Sequence, residues 1–573
     1  AVAFEAARGQ LFRYEVSPGS CLVDADEEPP LPMDAEALDV ALSVALLLHA
    51  RPVDEIQVMR KIVIDGSNTT GFQRTSLVAT DGWIEYGGRR IGIPTICLEE
   101  DAARKVAQGD GESRFRLDRL GIPLVEIATA PELTSGAEAR GVAEEIGLLL
   151  RATRRVRRGI GTIREDLNVS VEGGTRVEIK GVQELRLLPQ YVASERTRQE
   201  TLLHVRDKLR ARGAHLGESA VVELTDLLKG LASVPFRELA NGGTALGLRL
   251  PGFAGLLGGS AGSTERLGRE LAEYVRVTGT RGLLHSDELP GYGVDAERLE
   301  QLRARLGVGD EDGFVLVVAP SRARAEKAVG AARERAVLAI AGVPPETRDP
   351  LPDGRTRYSR PLPGRDRMYP ETDVPPIAVD AERVERLRRS LPELPAVAAT
   401  RLAGRYGLGT EVVRDLQRRD EVERFEHLAS GPFTPALVAR ALTQDLDGAK
   451  ALAPDSAREP TESELRELLT AVHEGRIAKE GIPPVLGALL AGGDSVERAI
   501  AASGLSGLSR GRLEEMAASI VARNAELVRR RGMNAVSPLM GELMAEVRGR
   551  WDGQEAAAVL RAAVEKSLAG SSA

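Results

Sequence analysis

The hydrophobic patterning of this chain changes character twice, and no single core satisfies all three patterns. Up to about residue 235, short strand-like runs alternate with helical stretches, the texture of a mixed α/β body. The strand-like runs lie at 57–65, 76–79 and 176–179. Residues 34–49 predict a helix behind an acidic first turn. Residues 135–154 predict another, with Ser135 as N-cap and Glu138 three residues on, in capping-box spacing. One long charged helix is expected over 185–212. From Pro235 onward glycines crowd the sequence, among them Gly242, Gly243, Gly252, Gly255, Gly258 and Gly259. A helix over 263–274, the strand-like run from Phe314 to Val318 and an Ala/Arg helix over 321–341 then predict a compact α+β insertion. Residues 344–376 are so rich in proline that they read as an ordered, functional loop without regular structure. From about Asp380 the pattern is nearly all helical, beginning with stretches at 383–391 and 411–425 and interrupted at 481–484 and 504–511. At 573 residues the chain is too long for one hydrophobic core. The expected fold class is therefore α+β and multidomain, divided at 1–235, 236–342, 343–379, 380–450 and 451–573.

Composition narrows the function classes. No apolar run approaches the length of a membrane span, the longest candidate being residues 40–48. No cationic-then-apolar leader opens the sequence, so the cytoplasm is the expected compartment. Cys21 and Cys97 are the two cysteines, in no metal-like spacing, which argues against a thiolate zinc site. A formal charge of −8 argues against indiscriminate nucleic-acid binding, although binding follows local patches. Arg154, Arg155, Arg157 and Arg158, and Arg529 to Arg531, are candidate phosphate contacts or solvated helix ends.

The chemistry-bearing residues are acidic and sit within or beside strand-like runs. Glu99, Glu100 and Asp101 follow the apolar run 91–97, and Glu126 lies alone inside the run 123–127. Asp166, Asn168 and Ser170 alternate onto one face of a strand, and Glu178 lies between Arg176 and Lys180. Carboxylates in apolar strands are costly unless a cation satisfies them. Arg and Lys partners would do so; so would a divalent metal, and oxygen ligands without His or Cys suit magnesium. Neither a Walker A loop nor a GxGxxG fingerprint is present, and no histidine has neighbours that make a triad or a zinc pair. From the pattern alone, structural ion pairs and a magnesium–phosphate site both stay open.

These same segments resemble the GatB/GatE family of tRNA-dependent amidotransferases. The matching stretches are MRKIVIDGSNTTGFQRT (59–75), TICLEEDAARK (95–105), RLDRLGIPLVEIATAPEL (116–133), IREDLNVSV (163–171), GTRVEIKGVQEL (174–185) and RYSRPLPGRDRMYPETDVPP (357–376). DGSNTTGFQRT and the Gly-rich insertion point to the archaeal E branch, whose insertion is similar to a domain of bacterial-type aspartyl-tRNA synthetases. Arg523-Asn524, Pro538 to Gly541, Arg548 to Arg550 and Asp552-Gly553 resemble a YqeY-like tail. The resemblance implies a mixed α/β catalytic cradle (1–235, resuming at 343–379), an insertion (236–342), a helical domain (380–450) and a helical tail (451–573). It also implies a reaction: ATP with Mg2+ phosphorylates the γ-carboxylate of glutamate on misacylated tRNA(Gln), and ammonia then displaces phosphate. The ammonia would come from an asparaginase-like partner of the D type, in a heterotetramer.

Carried onto this sequence, Glu99 and Glu126 are the first choices for magnesium ligands. Glu100, Asp166 and Glu178 are expected as nearby ligands or water-holders. Lys180, Arg119 and Arg74 are expected to act with Glu126 in catalysis by holding phosphate or the substrate carboxylate. Ser67, Asn68 and Gln73 are expected to line the nucleotide pocket, the first two doubling as turn formers. The family opens with a strand carrying Gly-Leu-Glu-(Ile/Val)-His, which is absent here, so an N-terminal truncation of roughly fifty to sixty residues is expected, leaving the metal site short of a ligand. Three other readings compete: a non-catalytic tRNA-binding module, a synthetase-like ligase, and the bacterial B branch of the same family.

Overall fold

The computed structural model describes residues 11–570 apart from 110, 158, 160, 218, 259–265, 363, 365–366, 506–509, 548–550 and 552. The expected helix start at Ser263, Gly259, Arg158, Arg548 to Arg550, Asp552 and the end of the tail lie outside them. Two compact units divide the chain, residues 1–392 and 393–573.

The first unit opens with β1 (Leu11–Glu15), helix α1 (Ala35–Leu47) and two short strands, β2 (Arg51–Pro52) and β3 (Glu55–Ile56). Then come β4 (Val58–Ile62), the long hairpin β5 (Phe72–Tyr86) and β6 (Arg89–Glu100), and a second hairpin, β7 (Arg104–Gly109) and β8 (Glu112–Arg116). β9 (Pro123–Ala128), α2 (Gly136–Ala152), β10 (Glu165–Val169), β11 (Val177–Val182) and α3 (Leu188–Ala211) complete the first stretch. The insertion contributes β12 (Val221–Glu223), β13 (Thr244–Leu250), α4 (Leu267–Val277), β14 (Leu284–His285), α5 (Ala296–Leu306), β15 (Gly313–Ala319) and α6 (Arg322–Ala341). The chain returns through β16 (Glu346–Pro350), β17 (Thr356–Pro361), β18 (Met368–Pro370), β19 (Ile377–Ala378) and α7 (Ala381–Arg389).

Two sheets matter for the site. One has the order β18-β4-β5-β6-β9, with β2 on β5, and the other β10-β11-β16-β17. Helix α1 starts where Asp34 accepts the Ala37 amide at 2.7 Å. Its Leu38, Ala41, Leu42 and Leu46 pack against Val78 and Leu98, closing one side of the larger sheet. Ser135 caps α2 as expected, but the Glu138 carboxylate reaches back to the Thr134 amide, not to that of Ser135.

The proline-rich stretch is not a loop: it forms β16, β17 and β18. Pro350, Pro361 and Pro370 each end a strand, and β17 and β18 are sheet edges, where a missing N–H costs little. The insertion also begins earlier than residue 236. β12 pairs with β13, and Leu224 and Leu228 share a core with Phe314 and Leu316. Val315 and Val317 bury on the other face of β15, against α4 and α6. Burial on both faces explains the unbroken apolar run.

The second unit is helical throughout its described residues. One core runs from Ala399 to Leu505 and a second from Leu513 to Val564. Residue 450 therefore lies inside a core, not between two, because Leu442 and Ala449 pack with Leu465 and Leu486. The interruption expected at Gly481 to Pro484 lies just before it, between the helices Glu462–His473 and Ile482–Leu490, and the two prolines occupy the first turn of the second, where a proline has no amide to lose. No helix among the described residues is long and apolar enough to cross a membrane.

Candidate active site

The site grows from strand alternation on the larger sheet. In register, Lys61 faces Gln73 across β4–β5, Thr75 faces Glu99 across β5–β6, and Cys97 faces Glu126 across β6–β9. Side chains two apart on a strand share a face, so Lys61, Gln73, Glu99 and Glu126 converge on one side. The Lys61 ammonium lies 2.6 Å from Glu99 Oε1, and Gln73 Nε2 donates to Glu99 Oε2 at 3.3 Å. Desolvation raises the Glu126 carboxyl above the usual range, and the Glu99 carboxylate beside it raises it further, against Lys61 and Lys180. Burial pushes the Cys97 thiol up to about 11, with Glu126 and Glu99 adding to it, so this cysteine is no nucleophile.

The smaller sheet supplies the facing cation. Lys180 Nζ lies 3.0 Å from Asp166 Oδ2 and 3.5 Å from Glu178 Oε1. Gly181 donates its amide to Asp166, and Thr347 Oγ1 donates to Glu178 Oε2 at 3.1 Å. Burial works against the Lys180 charge, but Asp166 and Glu178 outweigh it and hold the ammonium above the usual lysine range. The Lys180 charge also acts on Glu126, more weakly than desolvation, Glu99 and Lys61 do, so the two sheets lie within electrostatic reach of each other.

The five carboxylates expected around one cation do not form one group. Among the described residues no three acidic, His or Cys side chains stand as a metal cluster. Glu99 and Glu100 are consecutive on β6 and so face opposite ways. Asp166 and Glu178 are both engaged by Lys180. The pair Glu99 and Glu126 remains.

Arg74 also lies on the other face. Its Nε donates to Glu371 at 2.9 Å and its Nη1 to Glu100 at 3.5 Å. Glu371, 2% exposed, also accepts from Arg60 and from the Asp373 amide. Burial pushes the Glu371 carboxyl up, but Arg60, that amide and Arg74 overcome it and hold the group at about 2. Phe72 is flanked by both guanidinium groups, at 4.5 and 5.1 Å. On this side a cavity of about 450 Å3 is bordered by Leu31, Met33, Phe72 and Val374 and by Asp24, Asn68, Arg74, Glu99 and Glu100. Its size and mixed lining are those of a small-molecule site.

The remaining expected residues separate. Arg119 turns to Asp101 at 3.3 Å and to the Ala102 carbonyl at 3.0 Å, and Arg164 grips the same Asp101 at 3.0 Å. That places Arg119 in a structural anchor. Ser67 belongs to a turn in which its amide donates to Asp65 Oδ1, and Asn68 is buried at the cavity wall. Gln73 sits with Glu99 instead. Lys61 and Glu371 were not legible as site residues. Lys61 would have followed from pairing its strand with β5, whereas Glu371 lay in the proline-rich segment read as a loop.

Comparison with known proteins identifies the family. A family model described as the GatB/GatE catalytic domain matches residues 13–385, and one described as a GatB domain matches 425–564. The chain is 43% identical over 567 residues to the E-type subunit of glutamyl-tRNA(Gln) amidotransferase from Thermococcus gammatolerans, covering 98% of this chain and 90% of that one. To the protein of the same name from Methanopyrus kandleri it is 45% identical over 552 residues, covering 95% and 86%. To that of Methanocaldococcus jannaschii it is 41% identical over 568 residues, covering 98% and 90%. With two family models and relatives of this similarity along nearly its whole length, the chain belongs to the GatB/GatE family.

Proposed function

We propose that this protein converts glutamate on tRNA(Gln) into glutamine, using ATP to phosphorylate the γ-carboxylate and ammonia to displace the phosphate. The observation that carries the reading is the Glu99–Glu126 pair, two adjacent carboxylates of which one is pushed toward its neutral form, beside Lys61 and within electrostatic reach of Lys180. Two neighbouring negative charges are stable together only with a proton or a cation between them. Magnesium is commonly held by one or two carboxylates with phosphate and water completing its shell, so Glu99 and Glu126 fit it without a third acid. When bound, the metal ion supplies charge neutralisation for the phosphoryl oxygens of ATP.

The residues of the chain itself do the rest. A carboxylate is inert to ammonia until one oxygen becomes a leaving group. The substrate oxygen attacks the γ-phosphorus, the bond to ADP breaks, and an acyl phosphate forms. Ammonia adds to the acyl carbon, a proton leaves, and inorganic phosphate departs to give the amide. Lys180, kept charged by Asp166 and Glu178, neutralises the phosphoryl group in both steps. Lys61 and Gln73 fix the Glu99 carboxylate. The cavity beside Asn68 and Arg74 opens on the opposite face and reaches the pair only at Glu99, so it takes the end of the nucleotide remote from the γ-phosphoryl group.

Ammonia is supplied by a partner related to asparaginases, paired with this chain in a heterotetramer, and tRNA(Gln) charged with glutamate is the second partner. The test is conversion of radiolabelled glutamyl-tRNA(Gln) to glutaminyl-tRNA(Gln) with ATP, magnesium chloride and ammonium chloride, which bypasses the partner. Product that requires both ATP and magnesium supports the reading. tRNA binding without product under these conditions rejects it in favour of a binding module.

A further inference from the structure

Insertion and catalytic body meet in a cluster of buried charges. From the insertion come Glu270 on α4 and Arg335 on α6; from the body come Arg198 on α3 and Glu346 and Arg348 on β16. Arg198 lies 3.2 Å from Glu270 and 2.7 Å from Glu346, and Arg335 lies 2.9 Å from Glu270. Arg348 is 2.5 Å from Glu346 and 3.5 Å from Glu270. All five side chains are at most 4% exposed. The Tyr274 hydroxyl, also on α4, donates to Glu346 at 2.8 Å. Buried ion networks add little net stability over apolar packing, and their use lies in admitting one geometry. Here that geometry is the seat of β16 on the insertion.

β16 carries this constraint to the site. Thr347 stands between Glu346 and Arg348 and so faces the opposite side, where it bonds Glu178 at 3.1 Å. β17 repeats the division with a bulge. Thr347 pairs with Arg360 and Arg348 with Tyr358, so Ser359 is skipped. Tyr358 thereby stays with the charge cluster, stacked 3.8 Å from Tyr274, while Arg360 falls beside Lys180 and opposes its charge.

We infer that the insertion is a positioning element for the Lys180–Glu178 pair, acting through β16, with Thr347 as the positioning residue. The inference rests on the function proposed above, where that pair serves phosphoryl transfer. The charged groups around Lys180 are Asp166 from β10, Glu178 from β11, Arg360 from β17 and Glu126 from β9. Releasing Glu178 from Thr347 frees the carboxylate to turn away from Lys180, which it meets at 3.5 Å.

The test uses the full-length protein and two readouts. Competitive acetylation with mass spectrometry measures the titration of Lys180, and the ammonia-dependent reaction gives kcat and KM. Thr347→Val is expected to make Lys180 titrate at lower pH and to lower kcat about tenfold, as loss of a group supporting a site residue does. KM for ATP should stay within about twofold, the sign of an interaction needed after binding. Thr347→Ser should restore both. Tyr274→Phe, which removes one hydrogen bond to β16 without changing charge, should shift Lys180 in the same direction. A Thr347→Val protein with wild-type Lys180 titration and kcat overturns the inference. A shift in Thr347→Val but none in Tyr274→Phe overturns the insertion's part in it. A wild-type protein that makes no product while Lys180 still shifts in both variants rejects the proposed function and supports the positioning.

Discussion

At the scale of residues, the site is an arrangement of acids whose behaviour follows from their nearest charge. Glu126 on the edge strand β9 and Glu371 just past the edge strand β18 titrate in opposite directions. Glu371 is held at about 2, below the usual 4.5, by Arg60, the Asp373 amide and Arg74. Its contribution to stability is therefore present above pH 4.5 and is lost as pH falls toward 2. Glu371→Ala leaves two arginines without their shared counter-charge and should cost about 3 kcal/mol in urea unfolding at neutral pH, by analogy with other broken buried pairs. Glu126 is raised instead, so its contribution is complete below the usual 4.5 and is lost as pH rises through its folded-state value. Without divalent cation, Glu126→Gln should flatten the fall in thermal stability that wild type shows as pH rises above 4.5. An equally steep fall in the variant would mean that the Glu126 carboxyl is not raised in the folded protein.

At the scale of elements, what was legible in the sequence depended on whether neighbours in sequence are neighbours in space. Helices α1 and α2 and the cap at Ser135 are local, and patterning found them. Glu99, Glu126, Asp166 and Glu178 stood out as acids in strand-like runs, and the resemblance put Glu99 and Glu126 first as ligands; the pairing of Asp166 with Lys180 across β10 and β11 was not legible. Lys61 and Glu371 needed the pairing of β4 with β5 and with β18, which no local pattern encodes. Reading Glu99 and Glu100 as one acidic cluster failed because consecutive strand residues face opposite sides. Proline content misled at 344–376 because strand ends and sheet edges tolerate proline, and composition does not say where an edge will be. The turn from Asp65 to Asn68 was legible, and it sets the wall of the cavity. Gly66 there has φ +80°, and a Cβ would stand 2.3 Å from the Phe12 ring. Gly66→Ala should therefore destabilise the first unit by about 2 kcal/mol, the cost of a strained left-handed residue, and weaken ATP binding with it. Wild-type affinity in calorimetry would detach the turn from the site.

At the scale of the whole molecule, the succession of mixed body, α+β insertion and helical remainder was legible because each texture reports how its segment buries apolar surface. Boundaries were less so. β12 joins the insertion by pairing with β13, and the helices on either side of residue 450 share one core. Both are long-range facts. Function at this scale depends on one claim, that Glu99 and Glu126 together serve phosphoryl transfer to the glutamyl group. The most direct measurement is transfer of label from γ-labelled ATP to glutamyl-tRNA(Gln) in the absence of ammonia, comparing wild type with Glu126→Gln. Magnesium-dependent labelling by wild type, lost in a variant that still binds tRNA and remains folded, is the predicted result. Labelling by Glu126→Gln at the wild-type rate would contradict it.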